Sequence, residues 1–310
     1  MDYALSEEQE AVQGAVASLM GRYAGPIRAR EMTNAHDDRV LNAMLEAGFL
    51  DLATDPDTGP LTAALVTETC AEHLAAAHIG ARSLVAPQLL DAPPARVALA
   101  VADQLGPIRF GGDADILLVL DGDDARVVEP LASSTQTVET GYIYPFATTD
   151  LAGGRVLPGA GPTLAKWWRI AIASELAGLL QPALDRTVAY LKQREQFGKP
   201  LGSLQALQHR LAEAHVWVEG TCWSARAAAW NGGDEAAATA ATYASMAARH
   251  VASEMHQLTG ALSFTAEHDL HLWTLRAQAL RTELGGIGGH AAAVTQLRWA
   301  SLRTPRHGSA

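Results

Sequence analysis

The sequence predicts an α+β protein built as an N-terminal helical domain (1–92), a short β middle domain (93–160) and a C-terminal antiparallel helical bundle (161–310). Three observations predict it. Apolar residues recur at helical spacing through the first region. The period then switches to short apolar runs separated by turn residues. Beyond Gly161 long helical patterns return, joined by short loops, which is the mark of antiparallel helices.

In the first region Ser6-Glu7-Glu8-Gln9 matches a capping box, with Leu5 placed for a hydrophobic staple. Val40, Leu41, Met44, Leu45 and Phe49 form a helical stripe with Gly48 near its end, and Leu61 to Leu74 repeats the behaviour. Pro87 and Pro93-Pro94 close the region.

The middle region opens with strand candidates at Val97–Val101 and Ile108–Phe110. Ile116–Leu120, Asp121-Gly122-Asp123-Asp124 and Arg126–Val128 together read as a β-hairpin. Val138–Tyr144 is a further candidate, giving roughly five short strands. Gly153-Gly154 and Pro158-Gly159 mark the exit loop.

In the third region Leu176, Leu179, Leu180, Leu184, Val188 and Leu191 share one helical face, with Pro182 inside the pattern as an expected kink or break. Leu201–Trp230 is predicted as a second helix ended by Asn231-Gly232-Gly233. Asp234 is a natural N-cap for a third, reaching about Leu258. Two more are predicted from about Thr265 and about His290.

Composition narrows the function. With 48% hydrophobic and 18% charged residues over 310 positions, a packed core is expected rather than disorder. A formal charge of −11 argues against nucleic acid as a partner, because such binding rests on neutralising phosphates. Cys70 and Cys222 stand far apart with no CxxC, so neither a disulfide framework nor a zinc site is expected. No signal-peptide pattern and no bilayer-length apolar run is visible, so a soluble, cytoplasmic protein without a membrane partner is expected. His268-Asp269-x-His271 lacks a fourth ligand, and a polar helix start explains it better than a metal. Gly285-Gly286-Ile287-Gly288-Gly289 follows no strand, which argues for a hinge or a close-packed helix connection rather than a dinucleotide loop. Trp167-Trp168 reads as core or interface.

The most informative stretch is Arg194-Glu195-Gln196-Phe197-Gly198-Lys199-Pro200-Leu201, with Gln205 four residues on. A guanidinium suits bidentate recognition of phosphate, and an aromatic ring can cover an adenine face. A capped loop with a solvated Arg and a core Phe explains the same residue types.

This stretch resembles the signature that ends the first long helix of the C-terminal bundle in the acyl-CoA dehydrogenase family. Gln257 to His271 resembles a second family segment, including the Glu267-His268-Asp269-Leu270-His271 continuation of an actinobacterial branch. The resemblance implies the acyl-CoA dehydrogenase-like fold and an FAD held across a subunit interface. It implies that Arg194, Gln196 and Phe197, with Leu201 and Gln205 completing the motif, hold the adenine and pyrophosphate end, and that Gln257 and Gly260 grip the same dinucleotide.

The chain also departs from the family pattern. Thr259 replaces the family's His, the glycine pair becomes Gly260-Ala261, and Ser263 stands before Phe264. The Thr-Glu-Pro…Gly-Ser-Asp stretch and the Trp-centred strand that line the flavin ring in typical members are not found. The two usual positions of the catalytic base carry Trp168 and Leu284; Glu283 is next to the second, and Glu267 is the carboxylate of the resembling segment. Glu267 and Glu283 are therefore the candidate bases, and a helix-start carboxylate is the plainer account of Glu267.

The resemblance implies α,β-dehydrogenation of an acyl-CoA thioester, here steroid-derived, with electrons passing to an electron-transfer flavoprotein. It points to the small subunit of an α2β2 enzyme that gives the adenine side of FAD binding to a larger homologous partner. Two alternatives stay open: a self-sufficient homo-oligomeric dehydrogenase, and a non-catalytic scaffold that has lost FAD.

Overall fold

Ser6 starts the first helix as the capping box requires: its Oγ accepts the Gln9 N–H at 3.2 Å, and Gln9 Oε1 accepts the Ser6 N–H at 3.0 Å. This helix, α1 (Glu7–Tyr23), is followed by α2 (Pro26–Glu31), α3 (Asp38–Glu46) and α4 (Gly59–Glu72). Val40, Leu41 and Met44 of α3 close on Val16 and Met20 of α1 and Val66 of α4, forming a small core of their own. The computed structural model describes residues 4–56, 58–103 and 106–303.

The middle region forms two sheets rather than one, with more strands than expected. β1 (Val97–Val101), β3 (Ile116–Asp121), β4 (Asp124–Val128) and β7 (Arg155–Leu157) make one sheet; β2 (Ile108–Arg109), β6 (Phe146–Thr148) and β5 (Gln136–Val138) make the other. The predicted hairpin forms, with Asp121 opposite Asp124 and Gly122 at φ 60° in the turn. The predicted strand over 138–144 does not exist as such. Backbone turns where Ile143 adopts φ 59°, and pairing resumes only at Phe146.

The bundle consists of α5 (Gly161–Gln193), α6 (Gln205–Asn231), α7 (Asp234–Thr259), α8 (Leu270–Leu280) and α9 (Gly286–Arg303). Pro182 does not break α5. Neighbouring residues Leu179, Leu180, Ala183 and Leu184 are all buried, and that packing overrides the missing N–H. Leu201–Ser203 is a 3₁₀ turn, so α6 begins later than predicted; α8 begins at Leu270 instead of Thr265, and α9 at Gly286 instead of His290. Gly178 lets α5 approach α4 closely, since a Cβ there would stand 2.0 Å from the Glu68 carbonyl oxygen.

One large core runs through α4, β1, β3 and the bundle helices, binding sheet to helices as a single packed body. Where the edge of the sheets meets α5 and the α8–α9 connection, polar side chains interrupt it.

Candidate functional site

α5 ends in a miniature hairpin. β8 (Glu195–Gln196) pairs with β9 (Lys199–Pro200), and the two turn residues Phe197 and Gly198 sit at φ 56° and 75°. Positive φ at both central positions is the geometry that matches hairpin twist, and it favours Asn-Gly over a bulky first residue. Phe197 is therefore strained, and its ring is 88% exposed. Arg194 caps α5 with its N–H on the Tyr190 carbonyl and accepts the Leu201 N–H, which holds the hairpin against the helix end. Arg194 and Gln196 are exposed beside the ring, Leu201 packs on the core, and Gln205 opens α6.

The second segment lies at the same end of the bundle, where Tyr190 of α5 meets His268 edge-on at 5.9 Å. Here an open groove of about 590 Å³ runs between α7 and α8. Gln257, Gly260 and Phe264 line it, and Phe264 is 77% exposed. Gly260 ends α7 at φ 70°, ψ −151°, a conformation open to glycine, and a Cβ there would meet nothing within 4 Å. Main chain is thus bare toward the groove, which suits close approach of a phosphorylated ligand. His256 on the same wall bonds Thr274 Oγ1 at 2.8 Å, and burial lowers its pKa.

The third cluster lies in the cleft between sheets and bundle. Trp168 and Glu175, seven residues apart, share one face of α5. Arg109 at the end of β2 donates to both oxygens of Glu175 (2.9 and 3.3 Å) and to Glu283 Oε1 (2.7 Å). The Trp168 indole N–H donates to Glu283 Oε2 at 2.7 Å, so both oxygens of Glu283 are engaged. Tyr144 lies between two guanidiniums, Arg109 at 5.1 Å and Arg276 at 4.7 Å. Burial alone would lower Arg109, but Glu175 and Glu283 carry its pKa above the ordinary value. Burial pushes Glu175 up against the pull of Arg109, and takes the Tyr144 phenol to about 12.

The structure thus gathers Arg194, Gln196 and Phe197 on one tip and Gln257 with Gly260 on one groove. The two carboxylate candidates it separates. Glu283 stands in the cleft, whereas Glu267 is exposed in the turn before α8 and lines neither cavity. Glu267 is not a helix-start residue either, because Asp269 occupies the N-cap position. Asp269 is paired with Arg30 at 2.6 Å and Arg186 at 3.2 Å. Of the two readings of the glycine run, the close-packed helix connection is the one seen: a Cβ on Gly289 would lie 2.2 Å from the Leu284 carbonyl oxygen. Sequence reasoning passed over Arg109, Glu175, Tyr144 and Arg276. A usable signal existed for two of them, because Glu175 and Arg276 are isolated charges in otherwise apolar helical stretches.

The profile of the family described as acyl-CoA dehydrogenase, C-terminal domain, matches residues 163–290. The chain is 30% identical over 308 residues to the acyl-CoA dehydrogenase IpdE2 of Mycolicibacterium smegmatis, covering 91% of this chain and 96% of that protein. It is 36% identical over 207 residues to the acyl-CoA dehydrogenase FadE34 of Mycobacterium tuberculosis, a match that spans 64% of this chain and only 28% of that protein. Among solved structures, a chain of the ChsE4-ChsE5 complex from Mycobacterium tuberculosis aligns over 98% of this chain and 100% of its own length, with a TM-score of 0.82 at 22% identity. No described helix is long and apolar enough to cross a membrane.

Proposed function

The chain belongs to the acyl-CoA dehydrogenase family, and from that premise we propose that it is one subunit of an FAD-dependent acyl-CoA dehydrogenase, lending the adenine and pyrophosphate side of FAD binding to a larger partner subunit. The observation that carries this reading is Phe197, a benzyl ring in the left-handed conformation, 88% exposed at the tip of a hairpin. Holding an L-residue there costs about 1–2 kcal/mol, and the chain by itself gains no burial in return. Covering the ring with a planar base offsets that cost, since full burial of a Phe side chain is worth about 1.5–3 kcal/mol.

Arg194 beside it neutralises a diphosphate, and its fork matches phosphate oxygens in pairs. Gln196 adds an amide, while Gln257 and the bare backbone of Gly260 receive the same dinucleotide in the groove between α7 and α8. When bound, FAD would supply the hydride acceptor for the β-carbon of an acyl thioester. This chain's part is to bind and orient the far end of that cofactor. The base that removes the α-proton comes from the partner; Glu283 already accepts from Arg109 and Trp168, and Glu267 lies outside the cleft.

A heteromeric α2β2 assembly is supported by a near-complete fold match to a chain of a two-component complex, and a steroid-derived CoA thioester by the fold match, at a TM-score of 0.78 and 22% identity, to the Tcur3481-Tcur3483 steroid ACAD G363A variant. Electrons leave to an electron-transfer flavoprotein. Expressed alone, the chain should be colourless or poorly soluble, and co-expressed with a larger homologue it should yield a yellow complex. A stoichiometric flavoprotein with dehydrogenase activity from this chain alone would overturn the assignment.

A further inference from the structure

The cleft between sheets and bundle contains Trp168 and Leu284, the two positions where the resemblance places a catalytic base. We infer that this cleft is closed to a flavin by the chain's own Arg109 clamp, so that the chain grips a partner's cofactor and seats none itself. The inference deepens the proposed subunit role and rests on it for its biological meaning, though not for its geometry.

Size is the first argument. The cleft opens into a cavity of about 370 Å³, walled by Leu99, Val101 and Phe146 on one side and Trp168 and Leu284 on the other. Pockets for one drug-sized ligand run from about 300 to 1,000 Å³, so this one is at the low end of what a single ligand needs, whereas a three-ring flavin stacked on an acyl thioester is two such bodies. Behind it is a void of about 20 Å³ that reaches His78 and Glu175. Arg109 and Glu283 line both spaces, so their ion pair is the partition between them.

The partition is hard to move. Enlarging the cavity requires Arg109 to leave, yet it is held by both oxygens of Glu175, by Glu283 and by the Tyr144 ring. Glu175 in turn fills the space that a side chain at Gly80 would need, its Oε1 2.5 Å from where a Cβ there would be. Displacement would leave two carboxylates buried without their counter-charge. Charge gives the same answer: Arg109 and Arg276 balance Glu175 and Glu283, leaving no surplus positive charge for the electron-rich end of a reduced flavin.

Lumiflavin, the three-ring system without its nucleotide, tests the cleft separately from the hairpin corner. Equilibrium dialysis of the full chain, alone or co-purified with its FAD-loaded partner, is expected to give no saturable lumiflavin site belonging to this chain. One lumiflavin bound per copy of the chain, weakened tenfold or more by Trp168→Phe, would overturn the inference. The total flavin count of the unaltered complex gives a second measure: one FAD per pair of chains is expected, and two contradict it. Failure of the hairpin assignment looks different, as a complex that keeps all its FAD when Arg194 is replaced by Ala.

Discussion

Arg109 Nε donates to a Glu283 oxygen at 2.7 Å across the seam between sheets and helices, although the two residues are 174 positions apart in the chain. Removing the cation should expose what the clamp holds. Arg109→Met leaves Glu175 buried without its partner, and the expected loss is about 3–5 kcal/mol of unfolding free energy, read from the urea midpoint. Adding Glu175→Met should recover most of that loss, because the unpaired charge goes with it. A double variant as unstable as the single one contradicts this reading.

Phe197 separates stability from function. Phe197→Asn fits the φ 56° position better, so the chain should hold its stability or gain up to about 1 kcal/mol. The same change removes the exposed ring and should weaken FAD retention in the assembled complex. Thermal melts and flavin absorbance of one preparation read both effects; a variant that loses stability and keeps its flavin contradicts the account on both counts.

Acid should destabilise the fold through its buried imidazoles. Burial, helped by Arg169, lowers His290 to about 4 from an ordinary 6.5, and burial takes His78 well below its usual value. Between those limits the unfolded chain binds protons that the folded one refuses, so stability is complete above pH 6.5 and falls as pH drops toward 4. His290 alone accounts for at most about 3 kcal/mol of that fall. His290→Phe should flatten the dependence of the urea midpoint on pH across this window. An unchanged slope would show that His290 is not the source.

Two glycine replacements should act in opposite directions. Gly178→Ala puts a Cβ 2.0 Å from the Glu68 carbonyl and should cost about 1–3 kcal/mol by overpacking. Gly14→Ala in α1 meets nothing within 4 Å and should stabilise by up to about 1 kcal/mol. Comparing the two melts checks that the α4–α5 crossing is as close as described.

Much of the fold was legible because its signals are local. The Ser6 capping box, the Gly122 turn between β3 and β4, and the Gly232-Gly233 junction of α6 and α7 each lie within a few residues of what they control. Errors fell where tertiary packing decides: the continuity of α5 through Pro182, and the late start of α8 beyond a turn pinned by Arg30 to the Ala266 carbonyl and Asp269. The nucleotide corner could be read from Arg194 to Gln205 as residue types, but the strain at Phe197 is a backbone property that composition does not carry. The clamp was illegible in another way, since Arg109, Glu175 and Glu283 meet only after the sheets dock on the bundle.

The most direct measurement is the FAD affinity of the complex between this chain and a larger homologue, compared with the same complex carrying Arg194→Ala. Loss of a charge-assisted contact to the diphosphate should weaken FAD at least tenfold, about 1.4 kcal/mol, and leave the assembly intact on gel filtration. Equal affinity in the two complexes would contradict the claim that this hairpin holds the nucleotide.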